Sequence, residues 1–197
     1  MEIEKNGRIQ YEGEYVNNLY EGKGKYYYLN DYYYKGLFVK GVKQGKGTIY
    51  FKNGKIKYDG DFVNDNYEGN GTLYLENGEY YSGQFKNGEK HGKGIFFYKD
   101  NNIKYEGDFI NGEREGKGKY IYENGDYYDG YWLNGEKHGK GIDYYKNGAI
   151  KYDGNYVNGK REGYGKYNFE SGELMVVVLV KEGKAMCMNN YKSTTTD

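Results

Sequence analysis

Apolar positions recur along most of the chain with a period of two, interrupted at short intervals by Asn-Gly and Gly-x-Gly clusters. That period belongs to a strand with one buried face, because successive side chains leave a strand on opposite sides. Tyr58, Gly60 and Phe62 fall on one side, with Asp59 and Asp61 on the other. On the returning strand Gly45, Gly47, Ile49 and Phe51 share a side, as do Gly116, Gly118, Tyr120 and Tyr122. The pattern predicts two-stranded antiparallel hairpins. A lone hairpin is marginal in water, so successive hairpins are expected to join side by side into a long twisted ribbon.

The strand pattern is carried by an internal repeat. A Tyr-x-Gly-x-aromatic motif places its Gly at Gly13, Gly36, Gly60, Gly83, Gly107, Gly130 and Gly154, at spacings that alternate between 23 and 24. A Gly-x-Gly pair begins nine residues after each, at Gly22, Gly45, Gly69, Gly92, Gly116, Gly139 and Gly163. With that interval fixed, the length variation is expected in the other loop, and the true unit is a 47-residue pair marked by Ile9, Ile56, Ile103 and Ile150. The Asn-Gly steps ending at Gly7, Gly54, Gly78, Gly125 and Gly148 read as tight turns. Glycine weakens a strand interior, so glycines at fixed places imply close approach of a ring or backbone from the adjacent unit.

The expected fold class is therefore all-β: an elongated single ribbon or solenoid of seven consecutive antiparallel β-hairpins with a C-terminal capping strand. The array is expected over residues 1–181, with the cap from position 173 and a polar tail over 182–197. Composition agrees with a structure one hairpin deep. There are 29 Tyr and 33 Gly but no Pro, so rings rather than aliphatic side chains must supply the buried surface. Twenty-nine basic residues balance 29 acidic ones. No long-range field then draws the chain to polyanions, which argues against nucleic acid and strongly anionic membranes as generic partners. The single Cys187 cannot close an intrachain disulfide, and Met1 to Lys5 lacks the apolar stretch of a signal peptide. A cytoplasmic location, with cytoskeletal or membrane association, is the expectation. The apolar run Leu174 to Val180 is far short of the roughly 20 residues that span a bilayer.

Tyr105-Glu106-Gly107-Asp108-Phe109, followed by Glu115-Gly116-Lys117-Gly118-Lys119-Tyr120, resembles the MORN (membrane occupation and recognition nexus) repeat, and the resemblance covers residues 8 to 172. It implies rows of hairpins forming a gently twisted groove, in scaffolds of the cytoskeleton and membrane junctions or beside lipid kinase and methyltransferase domains. Choline- or glucan-binding repeats also build Tyr/Gly hairpin ladders, but they use Gly-Trp pairs, and here Trp132 is the single Trp.

Three departures from the plain pattern mark candidate surfaces. The third residue after each Gly-x-Gly pair should face outward, yet it forms an apolar row, Tyr27, Tyr50, Tyr74, Phe97, Ile121 and Tyr144. Asp143 stands where other units point Tyr26, Ile49, Leu73, Phe96, Tyr120 and Tyr167 inward, so either the groove opens there or the carboxylate has a partner. At the C-terminus Met175, Val177 and Leu179 stand for the Tyr, Gly and aromatic of the motif, which reads, with Leu174, as a cap or a self-association surface.

Catalytic chemistry is absent from the pattern. His91 and His138 occupy a slot filled elsewhere by Glu or Gln, and read as loop side chains. The Gly-x-Gly pairs open strands, whereas a dinucleotide fingerprint needs a strand leading into a helix. No catalytic residue, cofactor or metal is assigned. Acidic Glu12, Asp59, Glu106, Asp129 and Asp153 are expected to face Lys23, Lys46, Lys93, Lys117 and Lys140 across the ribbon. The leading expectation is a non-catalytic protein-protein scaffold that docks a partner on Tyr27, Tyr50, Tyr74, Phe97 and Tyr144 and pairs with itself through Leu174 to Val180. The alternatives are weak attachment to phosphoinositide or other anionic lipid through Lys40 to Lys46 or Lys86 to Lys93, and an accessory subunit that positions a partner enzyme.

Overall fold

The computed structural model describes residues 2–3 and 9–186. The chain divides into two compact units, Met1–Glu113 and Arg114–Asp197. It is all-β, with no helix among the described residues. The first unit holds β1 (Glu2–Ile3), β2 (Ile9–Val16), β3 (Leu19–Tyr27), β4 (Tyr33–Val39), β5 (Val42–Tyr50), β6 (Ile56–Val63), β7 (Asn66–Tyr74), β8 (Tyr80–Lys86), β9 (Glu89–Phe97) and β10 (Ile103–Ile110). The second holds β11 (Glu113–Ile121), β12 (Tyr127–Leu133), β13 (Glu136–Tyr144), β14 (Ile150–Val157), β15 (Lys160–Asn168), β16 (Leu174–Lys181) and β17 (Lys184–Met186). Within each unit, every strand pairs antiparallel with its neighbour in sequence.

The tight turns lie elsewhere than the Asn-Gly steps read from the sequence. The two-residue turns are Asn17-Asn18, Lys40-Gly41, Asn64-Asp65, Asn87-Gly88, Asn111-Gly112, Asn134-Gly135 and Asn158-Gly159, each with positive φ at both residues. This is the mirror-image turn whose twist matches that of the strands it joins. Gly54, Gly78, Gly125 and Gly148 lie instead in five-residue connections. Only the Gly of each step takes positive φ there. The preceding Asn accepts a backbone hydrogen bond two residues on, as Asn53 Oδ1 does from Lys55 N at 3.0 Å. Gly7 lies outside the described residues.

One glycine per strand forms a continuous stripe. In the first unit Gly13, Gly24, Gly36, Gly47, Gly60, Gly71, Gly83, Gly94 and Gly107 face one another strand to strand. Gly118, Gly130, Gly141, Gly154 and Gly165 do so in the second. Tyr11, Tyr34, Tyr58, Tyr81, Tyr128 and Tyr152 lie flat over this stripe. A Cβ on Gly60 or on Gly71 would come within 2.5 Å of Tyr58 Oη. The close approach inferred from the glycines is therefore made by a ring of the same hairpin. The adjacent hairpin contributes a clamp: Tyr34 meets Phe38 and Phe62 edge-on at 5.2 and 5.0 Å, and Tyr58 meets Phe62 and Phe85 at 5.2 and 5.3 Å. Tyr128 sits likewise between Trp132 and Tyr156. Six of the seven motif-tyrosine hydroxyls donate to the backbone carbonyl three residues on, as Tyr58 Oη does to Asp61 O at 3.0 Å, whereas Tyr152 Oη is buried without a partner among the described residues. Burying such a ring stabilises the sheet by about 2–3 kcal/mol.

The first Gly of each Gly-x-Gly pair serves a different purpose. Its φ lies between +61° and +73° in all seven copies. Gly24 faces Gly13 while Glu21 faces Glu14, so Gly22 and Lys23 are an insertion in the ladder with their own hairpin. The 47-residue pairing has a related cause. The long connections do not vary, for all are five residues; the extra residue is a bulge in the following strand. Tyr50 faces Ile56 and Ile49 faces Tyr58, leaving Lys57 unmatched. Lys104 and Lys151 occupy the same place and reach back to Glu79 at 2.6 Å and Asp126 at 2.8 Å.

The C-terminal strand takes this bulged register too. Val176, Val178 and Val180 therefore face Tyr167, Gly165 and Gly163, and the motif positions are shifted by one from Met175, Val177 and Leu179. Val178 and Val180 are buried at 8% and 0% exposure, whereas Met175 and Val177 are 50% and 47% exposed. Leu179 is half-buried. The chain beyond 181 does not begin as a tail: Glu182-Gly183 forms another positive-φ turn, and β17 returns along Leu179–Lys181. Cys187 and the polar segment Tyr191 to Asp197 lie outside the described residues.

If the ring over the glycine stripe holds each hairpin, Gly71→Ala expels Tyr58 and costs about 3 kcal/mol. Gly54→Ala, at φ +78° with nothing within 4 Å, costs only the roughly 1 kcal/mol of a left-handed backbone. Urea denaturation of the two variants separates these outcomes, and equal losses would refute the account.

Candidate functional site

The two faces of the sheet are chemically distinct. The inner face carries the tyrosines over glycine and their clamping aromatics, and a second ladder lies on top of them. Two residues before each Gly-x-Gly pair stand Tyr20, Lys43, Tyr67, Lys90, Arg114, Lys137 and Arg161. Tyr20 and Tyr67 stack on Tyr11 and Tyr58 at centroid distances of 4.0 and 3.7 Å. At Lys43, Lys90, Lys137 and Arg161 a cation takes the ring's place: Lys137 Nζ lies 4.2 Å from the centre of Tyr128, and the Arg161 guanidinium 4.5 Å from that of Tyr152. This slot accepts whatever can lie on a tyrosine face, an aromatic ring or a desolvated cation. Sequence reasoning missed it, although its restriction to Tyr, Lys and Arg was visible.

Asp143 has partners. Only 6% exposed, its carboxylate accepts from Lys137 Nζ, Arg161 Nη2 and Tyr156 Oη, each at 2.6 Å. Burial would raise its pKa, but attraction to Lys137 and the hydrogen bonds from Arg161, Lys137 and Tyr156 outweigh it and hold the carboxyl below the usual range. The groove does not open there; two ladder cations and a clamping tyrosine close over the acid.

On the outer face, Tyr27, Tyr50, Tyr74, Phe97 and Tyr144 are half-buried and belong to a longer row that includes Tyr33, Tyr80 and Tyr127 on the intervening strands. Tyr33 stacks on Tyr50, Tyr80 on Phe97 and Tyr127 on Tyr144, at 4.5, 4.4 and 4.5 Å. The single-strand periodicity found only every second member. Ile56, Ile103 and Ile150 face Tyr50, Phe97 and Tyr144 and extend each stack.

The acidic row does not face the lysines expected. The inserted Gly-Lys step moves those lysines out of register with their own hairpin and against the next one: Lys46 pairs with Asp61 at 2.9 Å and Lys93 with Asp108 at 2.7 Å. Lys23, Lys117 and Lys140 face Leu37, Tyr131 and Asn155. Glu12 is opposite Lys25, Asp129 opposite Lys119, and Asp153 opposite Lys166. The lysine clusters proposed for lipid are largely engaged, since Lys43 pairs with Asp65 at 3.4 Å and Lys90 lies 5.5 Å from the Phe96 ring centre.

The histidine slot joins hairpins. Glu21, Gln44, Glu68, Glu115 and Glu162 accept the N–H of the first turn residue of the next hairpin, at Lys40, Asn64, Asn87, Asn134 and Glu182, over 2.8–3.0 Å. His91 and His138 stand where this acceptor would be, and His138 Nδ1 is buried without a partner among the described residues. Among the described residues no three of His, Cys, Asp and Glu converge as a metal-ligand set.

The protein-family model described as the MORN repeat matches residues 11–30, 34–56, 58–80, 81–103, 105–127, 128–150 and 152–173. Comparison with curated proteins gives no match.

Asp143→Asn strands two cations over the core and is expected to cost about 2–4 kcal/mol at neutral pH. Because the carboxyl's folded pKa is depressed, its contribution is full above the unfolded value near ~4 and disappears as pH falls through the folded value. Denaturation midpoints of the variant and the parent should therefore converge at acid pH. His138→Gln supplies the missing acceptor to Asn158 N and should stabilise by about 0.5–1 kcal/mol, read from the shift in urea midpoint.

Proposed function

This chain belongs to the MORN repeat family, and on that premise we propose that it is a non-catalytic protein-protein interaction scaffold whose outer aromatic row is its docking surface. The observation that carries this reading is the second stacked ladder. Core burial is already satisfied on the inner face, where Tyr11, Tyr34, Tyr58, Tyr81, Tyr105, Tyr128 and Tyr152 are fully enclosed. The outer rings instead stay half-exposed, in stacks of the kind that supply large, rigid contact area at low entropic cost.

A second contact belongs to the same proposal. The first half of β16 offers Leu174, Met175, Val176 and Val177 at 40–57% exposure. Among the described residues β17 pairs only with Leu179–Lys181. An apolar strand edge of this kind suits antiparallel pairing with a second copy of the chain. The rival reading, attachment to anionic lipid headgroups, draws on the family resemblance, and among the described residues no helix is long and apolar enough to cross a membrane. It has less support because Lys43, Lys46 and Lys93 are each paired with a carboxylate.

Tyr74→Ala, Phe97→Ala and Tyr144→Ala together should abolish capture of the cellular partner by the tagged protein while the fold melts cooperatively. Retained capture by the folded triple variant would sink this surface. Salt-sensitive enrichment of lipid without a protein partner would favour the membrane reading.

A further inference from the structure

The outer face has a second row beside the aromatic one, formed by the residue between Tyr and Gly of each motif and its cross-strand neighbours. In the first unit that row pairs Glu12 with Lys25, Lys25 with Lys35, Lys35 with Thr48, Thr48 with Asp59, and Thr72 with Ser82. In the second it pairs Lys119 with Asp129 and Asp153 with Lys166. Most contacts in the row are complementary or bonded, as Thr48 Oγ1 is to Asp59 at 2.8 Å. Lys25 opposite Lys35 is the one like-charge pair of the row among the described residues. Like charges directly opposite on neighbouring strands are destabilising, so this pair weakens the ladder at its own position.

Two further lysines crowd the same place. Lys23 and Lys46 stand on the same face of β3 and β5, and neither Lys23 nor Lys35 has a carboxylate within 4.0 Å among the described residues. The four line an open groove of about 990 Å³, walled on one side by the stacked rings of Tyr33 and Tyr50. Its carboxylates, Glu12 and Asp59, lie on the flanking strands β2 and β6, and each is hydrogen-bonded, to Tyr27 and Thr48. Asp61 screens Lys46, and Lys25 Nζ lies 4.4 and 4.3 Å from the ring centres of Tyr27 and Tyr33, so Lys23 and Lys35 are the least engaged of the four. The centre of the groove is thus cationic on three consecutive strands in a chain of zero net charge.

We propose that this groove docks an acidic segment of a partner polypeptide, its carboxylates on Lys23, Lys25, Lys35 and Lys46 and an apolar or aromatic side chain on Tyr33 and Tyr50. The open, shallow form fits a chain laid across strands spaced about 4.8 Å apart. A small phosphate compound is bound by enclosure, which this groove lacks. The assignment rests on the scaffold reading and deepens it by naming the partner's chemistry.

Lys35→Glu tests it without unfolding the protein, because the substitution places opposite charges across β3 and β4 as other strands of the row do. The full chain is titrated into a fluorescein-labelled peptide in which Glu alternates with Tyr and Gly, and anisotropy is followed at low and physiological salt. The parent should bind with salt-weakened affinity, and Lys35→Glu should bind at least about tenfold more weakly while melting at a higher temperature. Undiminished binding by Lys35→Glu, or no binding by the parent at low salt, overturns the proposal. So does recruitment of the parent to phosphatidylserine vesicles, but not to the peptide, in a Lys35-dependent manner. Capture of the cellular partner by Lys35→Glu, lost in the Tyr74, Phe97 and Tyr144 triple variant, would remove the groove assignment and leave the scaffold reading standing.

Discussion

A tyrosine ring lying on two bare glycines is the contact from which the rest of this structure follows. In an ordinary sheet, side chains on adjacent strands fill the space above the backbone, and a ring must stand up among them. Here Gly60 and Gly71 carry nothing, so Tyr58 lies down, touches the backbone of both strands and bonds its hydroxyl to its own chain. The arrangement compensates for the weakness of glycine in a strand by converting missing side chains into ring contact. It also explains how a chain poor in aliphatic residues holds together: the core is a ring with one ring or cation stacked on it, and is renewed from hairpin to hairpin.

Because Tyr11, Tyr34, Tyr58, Tyr81 and Tyr128 are each clamped by an aromatic of the next hairpin, and tight turns are bonded to the hairpin before them, stability passes from neighbour to neighbour within each unit. This is the energetics of a repeat array, in which one weak step is felt locally rather than throughout. The steps at His91 and His138, which lack the turn acceptor, and the Lys25–Lys35 pair are such places. They recur or stand alone without disturbing the glycine stripe, since the stripe lies on the other face or at the other end of the strand.

Much of this was legible in the sequence because glycine spacing and period-two aromatics report backbone constraints directly. The fixed nine-residue interval reflects an invariant two-residue turn, and the hairpins, their number and the C-terminal cap follow from it. Register was harder. A bulge residue such as Lys57 and a lengthened loop give the same spacing, and only the cross-strand partners of Ile49 and Tyr50 distinguish them. The same ambiguity displaced the cap by one residue, from Val178 to Val177. Tyr33, Tyr80 and Tyr127 were hidden beside the core tyrosines because a Tyr-Tyr step belongs to both faces at once. Two of Asp143's partners, Tyr156 and Arg161, come from neighbouring strands, and Lys137 lies six residues earlier on its own strand, so no local motif signals the cluster.

Asp143 also shows why recognition is better sought on the outer face. Replacing an inward apolar residue by an acid required two ladder cations and a tyrosine hydroxyl arriving from three other positions of the chain. The inner face therefore accepts polarity only when neighbouring slots supply it, and the carboxylate is spent on the fold. The outer face has no such requirement. Its rows vary freely among Lys, Thr, Asp, Ser and Ile at equivalent positions while the glycine stripe beneath is unaltered. A surface that can change charge without disturbing the core is one on which specificity can be written, and the like-charged, ring-walled groove on β3 to β5 is the place where the row departs from what the fold alone would favour.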